Sequence, residues 1–432
     1  MANKEYTVAI IGVGARGAGA YGRIIHNNMQ GKLKIVALCD KDQDRLDRWG
    51  AFFGVDKSMC FLDEDEFFKE KRADALIVGT QDRDHIGHAV KGFKTGYDML
   101  IEKPLTEYKE ECYELLDAQK QSGRKAIVCH VLRYAPAYVK AANWIKEGAI
   151  GKLVAINALE RVGHWHQAHS YVRGNWRTTK TATPMILAKC CHDLDLLQNF
   201  AGAACKTISS VGDLAHFKPE CAPEGAAERC TDCKYIDTCP YSAKHVYIER
   251  WYHALPDDPA PKDRWPWNVI ATPPLTEEKL WDAIRTGDYG RCVYHCDNDV
   301  VDNQIVMMEF ENGVKATLTM TGFAAHGRRY HFFGTHGEII LDEANNELVI
   351  YHGHKEKESF EIDKLISQDD QGYGHGGGDV HLINGLYDLL EGKGGDETAL
   401  YRSVESHLMG IYAEESRLQN GKVIYVHEND KK

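Results

Sequence analysis

The sequence lacks the long hydrophobic runs and the surplus of positive charge that mark membrane and nucleic-acid-binding proteins. In 432 residues no apolar stretch reaches the ~20 residues that cross a bilayer, and no signal-peptide segment precedes the first strand-like run. The net charge of −12 excludes the broad basic face that a phosphate backbone requires. The sequence therefore predicts a cytoplasmic protein with no nucleic-acid partner and no membrane contact.

A disulfide framework is also missing. The 13 cysteines are an odd number, and most are dispersed among predicted strands and helices, which is typical of reduced thiols in an intracellular protein. The exception is a segment rich in Cys, Pro and Trp, residues 217–274, which has the character of an insertion.

Four cysteines in that segment are spaced C-x8-C-x2-C-x5-C. Four thiolates in a short stretch suit a tetrahedral metal, most simply structural zinc. Because Cys239 is followed by Pro240, as in the last cysteine of some iron–sulfur runs, a cluster is the second possibility. A reduced loop without metal, or a loop closed by disulfides, would also fit the spacing. The predicted metal ligands are Cys221, Cys230, Cys233 and Cys239.

The length fits two domains better than one core. Through residue 132, strand-like and helix-like stretches alternate, which predicts a parallel sheet with helices on both faces. Between residues 301 and 351, several strand-like runs follow one another with short turns such as Asn312-Gly313, which favours antiparallel pairing. The fold class is therefore α/β at the N-terminus, followed by an α+β domain with a large, mostly antiparallel open sheet.

A glycine motif, G-x-G-x-x-G, follows the first strand-like run. The first glycine allows a tight turn, the second lets a pyrophosphate approach the backbone, and the third lets the next helix pack against the strand. The N-terminus of that helix offers unpaired N–H groups and a positive dipole end to phosphates. The motif thus predicts a dinucleotide site that includes Gly12, Gly14, Ala15, Arg16 and Gly17.

Asp40 stands at the end of the second strand-like run, where a carboxylate can bind an adenosine ribose. Such a carboxylate accepts hydrogen bonds from the ribose hydroxyls and repels a 2′-phosphate, which favours NAD over NADP. Lys41 and Arg45 lie close enough in sequence to help a phosphate. NAD is therefore the predicted cofactor, and NADP is the alternative.

The tripeptide Glu102-Lys103-Pro104 follows a predicted parallel strand, at the edge where open α/β sheets hold ligands. Near an oxidised nicotinamide, which is cationic, a lysine should have a lowered pKa and could exchange a proton with a substrate hydroxyl. The alternative for this tripeptide alone is an exposed lysine in a turn.

A second group of ionisable residues lies between positions 189 and 195. If this stretch is helical, Lys189 and His192 can share a face with Asp193 or Asp195, and together they form a set suited to proton transfer. The alternative is a solvated polar face with ion pairs.

Two loops are candidates for substrate contacts. Residues 164–177 are dense in rings and hydrogen-bonding groups, a mixture that suits sugars, and the arginines in this stretch also admit an anionic substrate group. The alternative is a loop packed by its two tryptophans. The glycine-rich loop at 374–378 is the second candidate, followed by Asp379 as the expected helix cap. The predicted substrate residues are His169, Arg173, Asn175, Trp176, Arg177 and His375.

In order and spacing, these motifs resemble those of the glucose-fructose oxidoreductase, inositol dehydrogenase and rhizopine-catabolism (Gfo/Idh/MocA) family, over nearly the whole chain apart from the insertion. The resemblance implies a Rossmann domain at 1–132 and a substrate and oligomerisation domain at 133–432, in a homodimer or homotetramer. It also implies NAD(P)-dependent oxidation of a sugar or cyclitol hydroxyl. Further cofactor contacts are expected from Thr80, His85, Glu102, Lys103 and Arg133.

By this resemblance, Lys103 corresponds to the lysine of the family's EKP motif, and His192 and Asp195 to its H-x-x-D motif. Many members carry an aspartate four residues before the histidine, where this chain has Ala188. We therefore expect Lys189 or Asp193 to take over part of the proton transfer. Two further functions stay open: an NAD-dependent glycosidase that oxidises, eliminates and re-reduces its substrate, and a non-catalytic NAD-binding sensor.

Overall fold

A computed structural model describes residues 4–253, 265–354 and 356–427. The first sheet has six parallel strands in the order β3-β2-β1-β4-β5-β6. Its central strands are continuous apolar runs, fully buried in β4, because helices cover both faces of a parallel sheet. The strands are β1 (Tyr6–Ile11), β2 (Leu33–Cys39), β3 (Cys60–Phe61), β4 (Ala75–Val78), β5 (Asp98–Ile101) and β6 (Ala126–Val128).

The second sheet has nine strands in the order β14-β13-β12-β11-β7-β10-β9-β8-β15. Its pairs are antiparallel except β7 with β10. The strands are β7 (Leu153–Arg161), β8 (Cys205–Asp213), β9 (Asn303–Phe310), β10 (Lys315–Thr321), β11 (Gly327–Gly334), β12 (Gly337–Asp342), β13 (Glu347–His352), β14 (Glu358–Glu361) and β15 (Ile424–Tyr425). The expected fold class is thereby confirmed.

Helices cover the first sheet and one face of the second. The α-helices are α1 (Arg23–Asn28), α2 (Gln43–Phe53), α3 (Glu64–Phe68), α4 (His85–Thr95), α5 (Lys109–Ser122), α6 (Pro136–Lys146), α7 (His164–His166), α8 (Met185–Ala188), α9 (Cys191–Ala201), α10 (Arg250–Tyr252), α11 (Trp267–Ile270), α12 (Glu277–Thr286), α13 (Gly378–Glu391) and α14 (Leu400–Leu418). Three π-helical turns, Gly17–Gly22, Gln167–Arg173 and Lys244–Glu249, lead into or extend these helices. In the described part of the chain, no helix is both long and apolar enough to cross a membrane.

The C-terminal helix α14 connects the two sheets. It packs against β8 and α9 on one side and against α5 and β6 on the other. His407 of this helix accepts a hydrogen bond from the backbone amide of Leu105 at 2.8 Å. The segment just after Lys103 is therefore held by an element more than 300 residues further along the chain.

The Cys-rich insertion has a small hydrophobic core of its own. Strand β8 ends at Asp213 and β9 begins at Asn303, so the intervening chain is longer than the 217–274 expected from composition. The difference arises because α12, an ordinary helix by sequence, buries Leu280 and Ile284 against Trp251 and Trp267 of the insertion. The part of the insertion at 254–264 lies outside the described residues.

Candidate active site

The glycine turn after β1 has the geometry that the sequence predicts. Gly12 has a φ of +86°, and a Cβ on it would lie 2.5 Å from the backbone of Gly79. A Cβ on Gly17 would lie 2.1 Å from the Gly12 carbonyl oxygen, whereas a Cβ on Gly14 meets nothing within 4 Å. Gly12 and Gly17 are thus required by close packing of the backbone, while Gly14 leaves open space where a pyrophosphate can approach.

Asp40 follows β2 and is held in place by two backbone amides. Its Oδ2 accepts from the Val13 amide at 2.8 Å and its Oδ1 from the Asp42 amide at 3.0 Å. Because a carboxylate has about four lone-pair positions, two acceptor positions remain for ribose hydroxyls. The contact with Val13 fixes this carboxylate relative to the glycine turn.

A cavity of about 370 Å³, here named the glycine-loop cavity, lies at this edge of the first sheet. Of the predicted cofactor residues, the structure brings four to it: Gly12, Gly14, Asp40 and Thr80. Lys41 and Arg45 also line it, and Arg45 pairs with Asp42 at 3.2 Å. His88, which we did not expect, lines it too and contacts the Thr80 hydroxyl at 3.0 Å.

Arg16 does not point into the glycine-loop cavity but joins the two domains. Its guanidinium donates to Glu102 at 2.9 Å and to both oxygens of Asp379, at 2.8 and 3.1 Å. Burial acts to raise the pKa of Glu102, and Arg16 with Lys103 nevertheless holds it below its usual value. Asp379 was expected to cap a helix; it is already inside α13 and pairs with Arg16, because the helix begins at Gly378.

Two other predicted cofactor residues, His85 and Arg133, form hydrogen bonds to other parts of the protein. His85 contacts the carbonyl oxygens of Pro104 and Thr80 at 2.7 and 3.1 Å, and so supports the loops on either side. Arg133 binds Asp195 through two nearly parallel hydrogen bonds of 2.7 and 2.8 Å. Ala15, in the turn, does not line the cavity. None of these three residues therefore lines the glycine-loop cavity.

Lys103 is the second residue after β5, and its bond to Pro104 is cis. Its Nζ donates to the Ala188 carbonyl oxygen at 3.2 Å. Ala188 is the position where relatives were expected to carry an aspartate, so the lysine here meets a backbone acceptor where a side-chain carboxylate was expected. The ammonium is thereby held beside the start of the His192 helix without a full counter-charge.

His192 is buried in the first turn of α9, between two other imidazoles. The ring centroids of His130 and His375 each lie 6.0 Å from its own. Burial, followed by the Lys103 charge, lowers the pKa of His192 well below its usual value. Within the described residues its Nδ1 has no hydrogen-bond partner. The imidazole is therefore neutral at pH 7, with a nitrogen free to accept a proton.

Asp195 lies behind His192. Besides its paired bonds to Arg133, its Oδ1 is 3.8 Å from Nε2 of the buried His130. Burial acts to raise the pKa of Asp195, but the Arg133 charge outweighs it and keeps the carboxyl ionised. Asp195 is therefore held by Arg133 and lies closest to His130 among the imidazoles around His192.

Lys189 and Asp193 belong to a separate ionic cluster. We expected Lys189 and His192 to share a helical face. Helix α9 begins only at Cys191, so Lys189 precedes the helix and shares no helical face with His192. Its Nζ lies 3.5 Å from Glu160, and Arg328 bridges Glu160 at 2.8 Å to Asp193 at 2.9 Å. Burial raises the pKa of Asp193 to about 6 against the pull of Arg328.

A second cavity, here named the central pocket, has a volume of about 460 Å³, within the range of ligand pockets. Two predicted site residues line it, Lys189 and His375. The sequence analysis missed most of the rest, which stand on strands, short helices or loops that carry no motif. The other polar and aromatic lining residues are Tyr138, Glu160, Arg161, Trp165, His166, His326, Arg328 and Glu343.

The remaining predicted substrate residues lie away from this pocket. His169 contacts the Tyr247 hydroxyl at 3.0 Å, and Arg173 turns toward the insertion. Trp176 donates to Asp82, and Arg177 pairs with Asp297 at 3.0 Å, while Asn175 is exposed. Residues 167–173 form a π-helical turn, and of the stretch 164–177 only Trp165 and His166, just before it, line the pocket.

The predicted zinc ligands are not arranged around a single ion. Within residues 4–253, 265–354 and 356–427, no group of three or more His, Cys, Asp or Glu side chains could hold a metal ion. Every cysteine is free. Cys230, Cys233 and Cys239 line one small cavity, but the fourth cysteine there is Cys292, and Cys221 does not line it.

Comparison with known proteins gives the class to which this site belongs. The description "Oxidoreductase family, NAD-binding Rossmann fold" matches residues 6–130, and "Oxidoreductase family, C-terminal alpha/beta domain" matches residues 142–404. Together the two matches cover most of the chain. The chain therefore belongs to the Gfo/Idh/MocA oxidoreductase family and is an NAD-binding oxidoreductase.

Individual relatives are distant. The putative oxidoreductase YteT of Bacillus subtilis is 24% identical over 343 residues, which span 76% of this chain and 77% of that protein. Inositol 2-dehydrogenase 4 of Saccharopolyspora erythraea is 26% identical over 162 residues, 37% of this chain and 47% of that protein. A solved structure of the WlbA dehydrogenase of Chromobacterium violaceum, in complex with NADH and UDP-GlcNAcA, has a TM-score of 0.67 at 13% identity, covering 98% and 97% of the two chains.

Proposed function

We propose that this protein is an NAD-dependent dehydrogenase that oxidises a secondary hydroxyl of a carbohydrate or cyclitol. The observation that carries the proposal is the pairing of a neutral, buried His192 with the ammonium of Lys103. A neutral imidazole can take the hydroxyl proton, and a nearby cation stabilises the oxygen as it becomes negative. The inositol dehydrogenase among the relatives supports this class of substrate.

The residues around the glycine loop fit NAD. The open space at Gly14, the fixed Asp40 carboxylate and the helical N-terminus at Gly17 would hold the pyrophosphate and the ribose. When bound, NAD supplies the hydride acceptor. The Asp40 carboxylate, which repels a 2′-phosphate, favours NAD over NADP.

His192 acts as the general base in this proposal. The O–H proton of the substrate passes to the neutral imidazole of His192 as the hydride leaves the carbon that bears this hydroxyl. Lys103 stabilises the developing oxyanion and is itself held by the Ala188 carbonyl. Asp195, oriented by Arg133, favours the imidazolium through the intervening His130. Lys103 and His192 are the catalytic residues, and Asp195 is a positioning residue.

Lys189 and Asp193 have a different role from the one suggested by their spacing. Lys189 lines the central pocket and can bind substrate oxygens, while Asp193 fixes Arg328 in the same wall. Together with the aromatic Trp165 and the polar His166, these groups give the mixture of ring faces and hydrogen-bonding groups on which polyols bind. His375 closes the pocket on the His192 side.

The test is an assay of the purified protein with NAD and a panel of cyclitols, aldoses and aryl glycosides. Net NADH formation on a cyclitol or sugar supports the proposal. Release of an aglycone without net NADH would instead establish the glycosidase, and NAD binding without turnover of any panel member would establish the sensor. Either of these two results would overturn the dehydrogenase proposal.

We also propose that the chain forms a homodimer or homotetramer through the outer face of the second sheet. Val211, Ile305 and Met307 are 52%, 47% and 57% exposed, and Val211 pairs with Ile305 across neighbouring strands. An apolar patch on a sheet face is typical of an interface. Light scattering should give a multiple of the chain mass, reduced by Met307→Lys. A monomer at all concentrations would contradict this.

A further inference from the structure

Four cysteine side chains from separate segments surround one small cavity in the insertion. The space open to the centre of a water molecule there is about 20 Å³, which is more than one water requires. Its other walls are mostly apolar. The four cysteines are Cys230, Cys233, Cys239 and Cys292.

The Cys230 sulfur accepts hydrogen bonds from two N–H donors. Arg173 Nη2 and the Ala243 amide both lie 3.4 Å from it. Amides directed at sulfur fit thiolates better than thiols, because a thiol is a weak acceptor.

Arg173 supplies a buried positive charge at the same place. It is 1% exposed, and within the described part of the chain it forms no ion pair with a carboxylate. Its hydrogen bonds go to the carbonyl oxygens of Arg291 and Tyr241 and to the Cys230 sulfur, and its Nη1 has no partner. A buried guanidinium without a counter-charge is costly. Negatively charged sulfur ligands would remove that cost.

A single ion does not fit this arrangement. Four sulfurs around zinc each lie about 2.3 Å from the metal, so they stand close together. No such group exists among the described residues, although four cysteines line the cavity. In an iron–sulfur cluster each cysteine binds a different iron atom, so the sulfurs stand further apart. Four cysteines that line one cavity without forming a compact ion site therefore favour a cluster over a bare ion.

We propose that Cys230, Cys233, Cys239 and Cys292 bind an iron–sulfur cluster of the [4Fe–4S] type, with Arg173 as its counter-charge. The cluster has a structural role: it ties the turn at 230–239 to the segment at 292, and through Arg173 to the π-helical turn beside Trp165 and His166. It takes iron and inorganic sulfide and adds no electron-transfer step to the reaction.

The direct test is chemical analysis of the full chain purified without oxygen and, where iron is low, reconstituted with ferrous iron and sulfide. We expect about four iron atoms and about four acid-labile sulfides per chain. Zinc without sulfide, or neither metal after reconstitution, would overturn the proposal. Metal content is read without any turnover, so failure here leaves the dehydrogenase proposal untouched, and the reverse also holds.

Matched variants test the choice of ligands. Cys292→Ser should lose most of the iron, whereas Cys221→Ser, the ligand suggested by spacing alone, should keep it. Equal iron in both variants would contradict the assignment. Because Cys292→Ser can also fail to fold, the unmodified protein provides a second measurement: the half-buried Cys233 and Cys239 should resist alkylation until iron is removed, while the half-buried Cys221 should react throughout. Equal reactivity of the three would refute the cluster.

Discussion

The glycine-loop cavity and the central pocket differ in how their residues are distributed along the chain. The first is lined by residues 11–88, at the strand ends of one parallel sheet and in the helices that follow them. The second draws on residues 132–376, with side chains from β7, β11, α6, α7 and the loops around them. The comparison teaches that a site made from consecutive strand ends is visible as a motif, whereas a site made from distant strands is not.

The largest expected effect falls on Lys103 and His192, which line neither cavity. Lys103→Ala and His192→Ala should each lower kcat by about 10²–10⁴-fold, because a positioned acid–base group is lost. The Kd for NAD should change little, since neither side chain lines the glycine-loop cavity. Steady-state kinetics with a substrate from the panel, together with calorimetric titration of NAD, separates the two effects. Turnover within a few-fold of wild type in both variants would refute the catalytic assignment.

A pair of glycine substitutions separates a glycine that is needed for stability from one that is needed for NAD binding. Gly17→Ala places a Cβ 2.1 Å from the Gly12 carbonyl oxygen, so we expect the free energy of unfolding to fall by about 1–3 kcal/mol. Gly14→Ala meets no protein atom within 4 Å and should keep wild-type stability while weakening NAD binding about tenfold, or ~1.4 kcal/mol. Chemical denaturation and NAD titration measure both. Equal destabilisation of the two variants would show that the space at Gly14 is not reserved for a ligand.

Acid should destabilise the protein through a set of histidines whose pKa values are lowered in the native state. Burial is the first cause that lowers the pKa of five histidines: His130 to about 4, His407 to about 3, His169 to about 3, and His166 and His192 well below 6.5. Below pH ~6.5 the unfolded chain binds more protons than the native chain, because these histidines stay neutral in the native state. The free energy of unfolding is therefore highest above that pH and falls as the pH drops toward 4.

Urea denaturation at a series of pH values tests this prediction. His130→Asn should flatten the acid side of the stability profile relative to wild type, whereas the exposed His253→Asn should not change its shape. The acid limb of kcat/KM should likewise lie below pH 6.5. A limb above that value would contradict a neutral His192.

The smallest expected effect concerns the choice of cofactor. Asp40→Ser removes a carboxylate that lines the glycine-loop cavity, so NAD binding should weaken about tenfold, or ~1.4 kcal/mol, and NADP binding should improve because the charge that repels a 2′-phosphate is gone. The ratio of the two dissociation constants measures the change. Asp44→Ser, which removes an exposed carboxylate that does not line the cavity, is the matched control. An unchanged ratio in Asp40→Ser would show that Asp40 does not select the cofactor.

Much of the fold and half of the candidate site could be predicted from the sequence. Asp40 was placed because a strand with a terminal acid is a local pattern, and the proximity of Lys103 to His192 followed from a family resemblance. The positions of Glu160 and Arg328 in the pocket wall could not be predicted. Each is one of several polar residues in a strand whose side chains alternate between buried and exposed, and no motif distinguishes it from the others. Arg16 and Arg133 were assigned to the cofactor, yet each contacts a carboxylate from a distant segment.

The sequence by itself determined the parallel sheet, the glycine turn, Asp40, and the presence of Lys103 and His192, because these depend on backbone conformation and on residues close in the chain. Only the tertiary structure decided which side chains line the central pocket, which carboxylates hold Arg16 and Arg133, and that Cys292, and not Cys221, shares a cavity with Cys230, Cys233 and Cys239. Those contacts depend on which buried side chains from distant segments the fold brings together. Such pairing is a property of packing, and residue spacing does not reveal it.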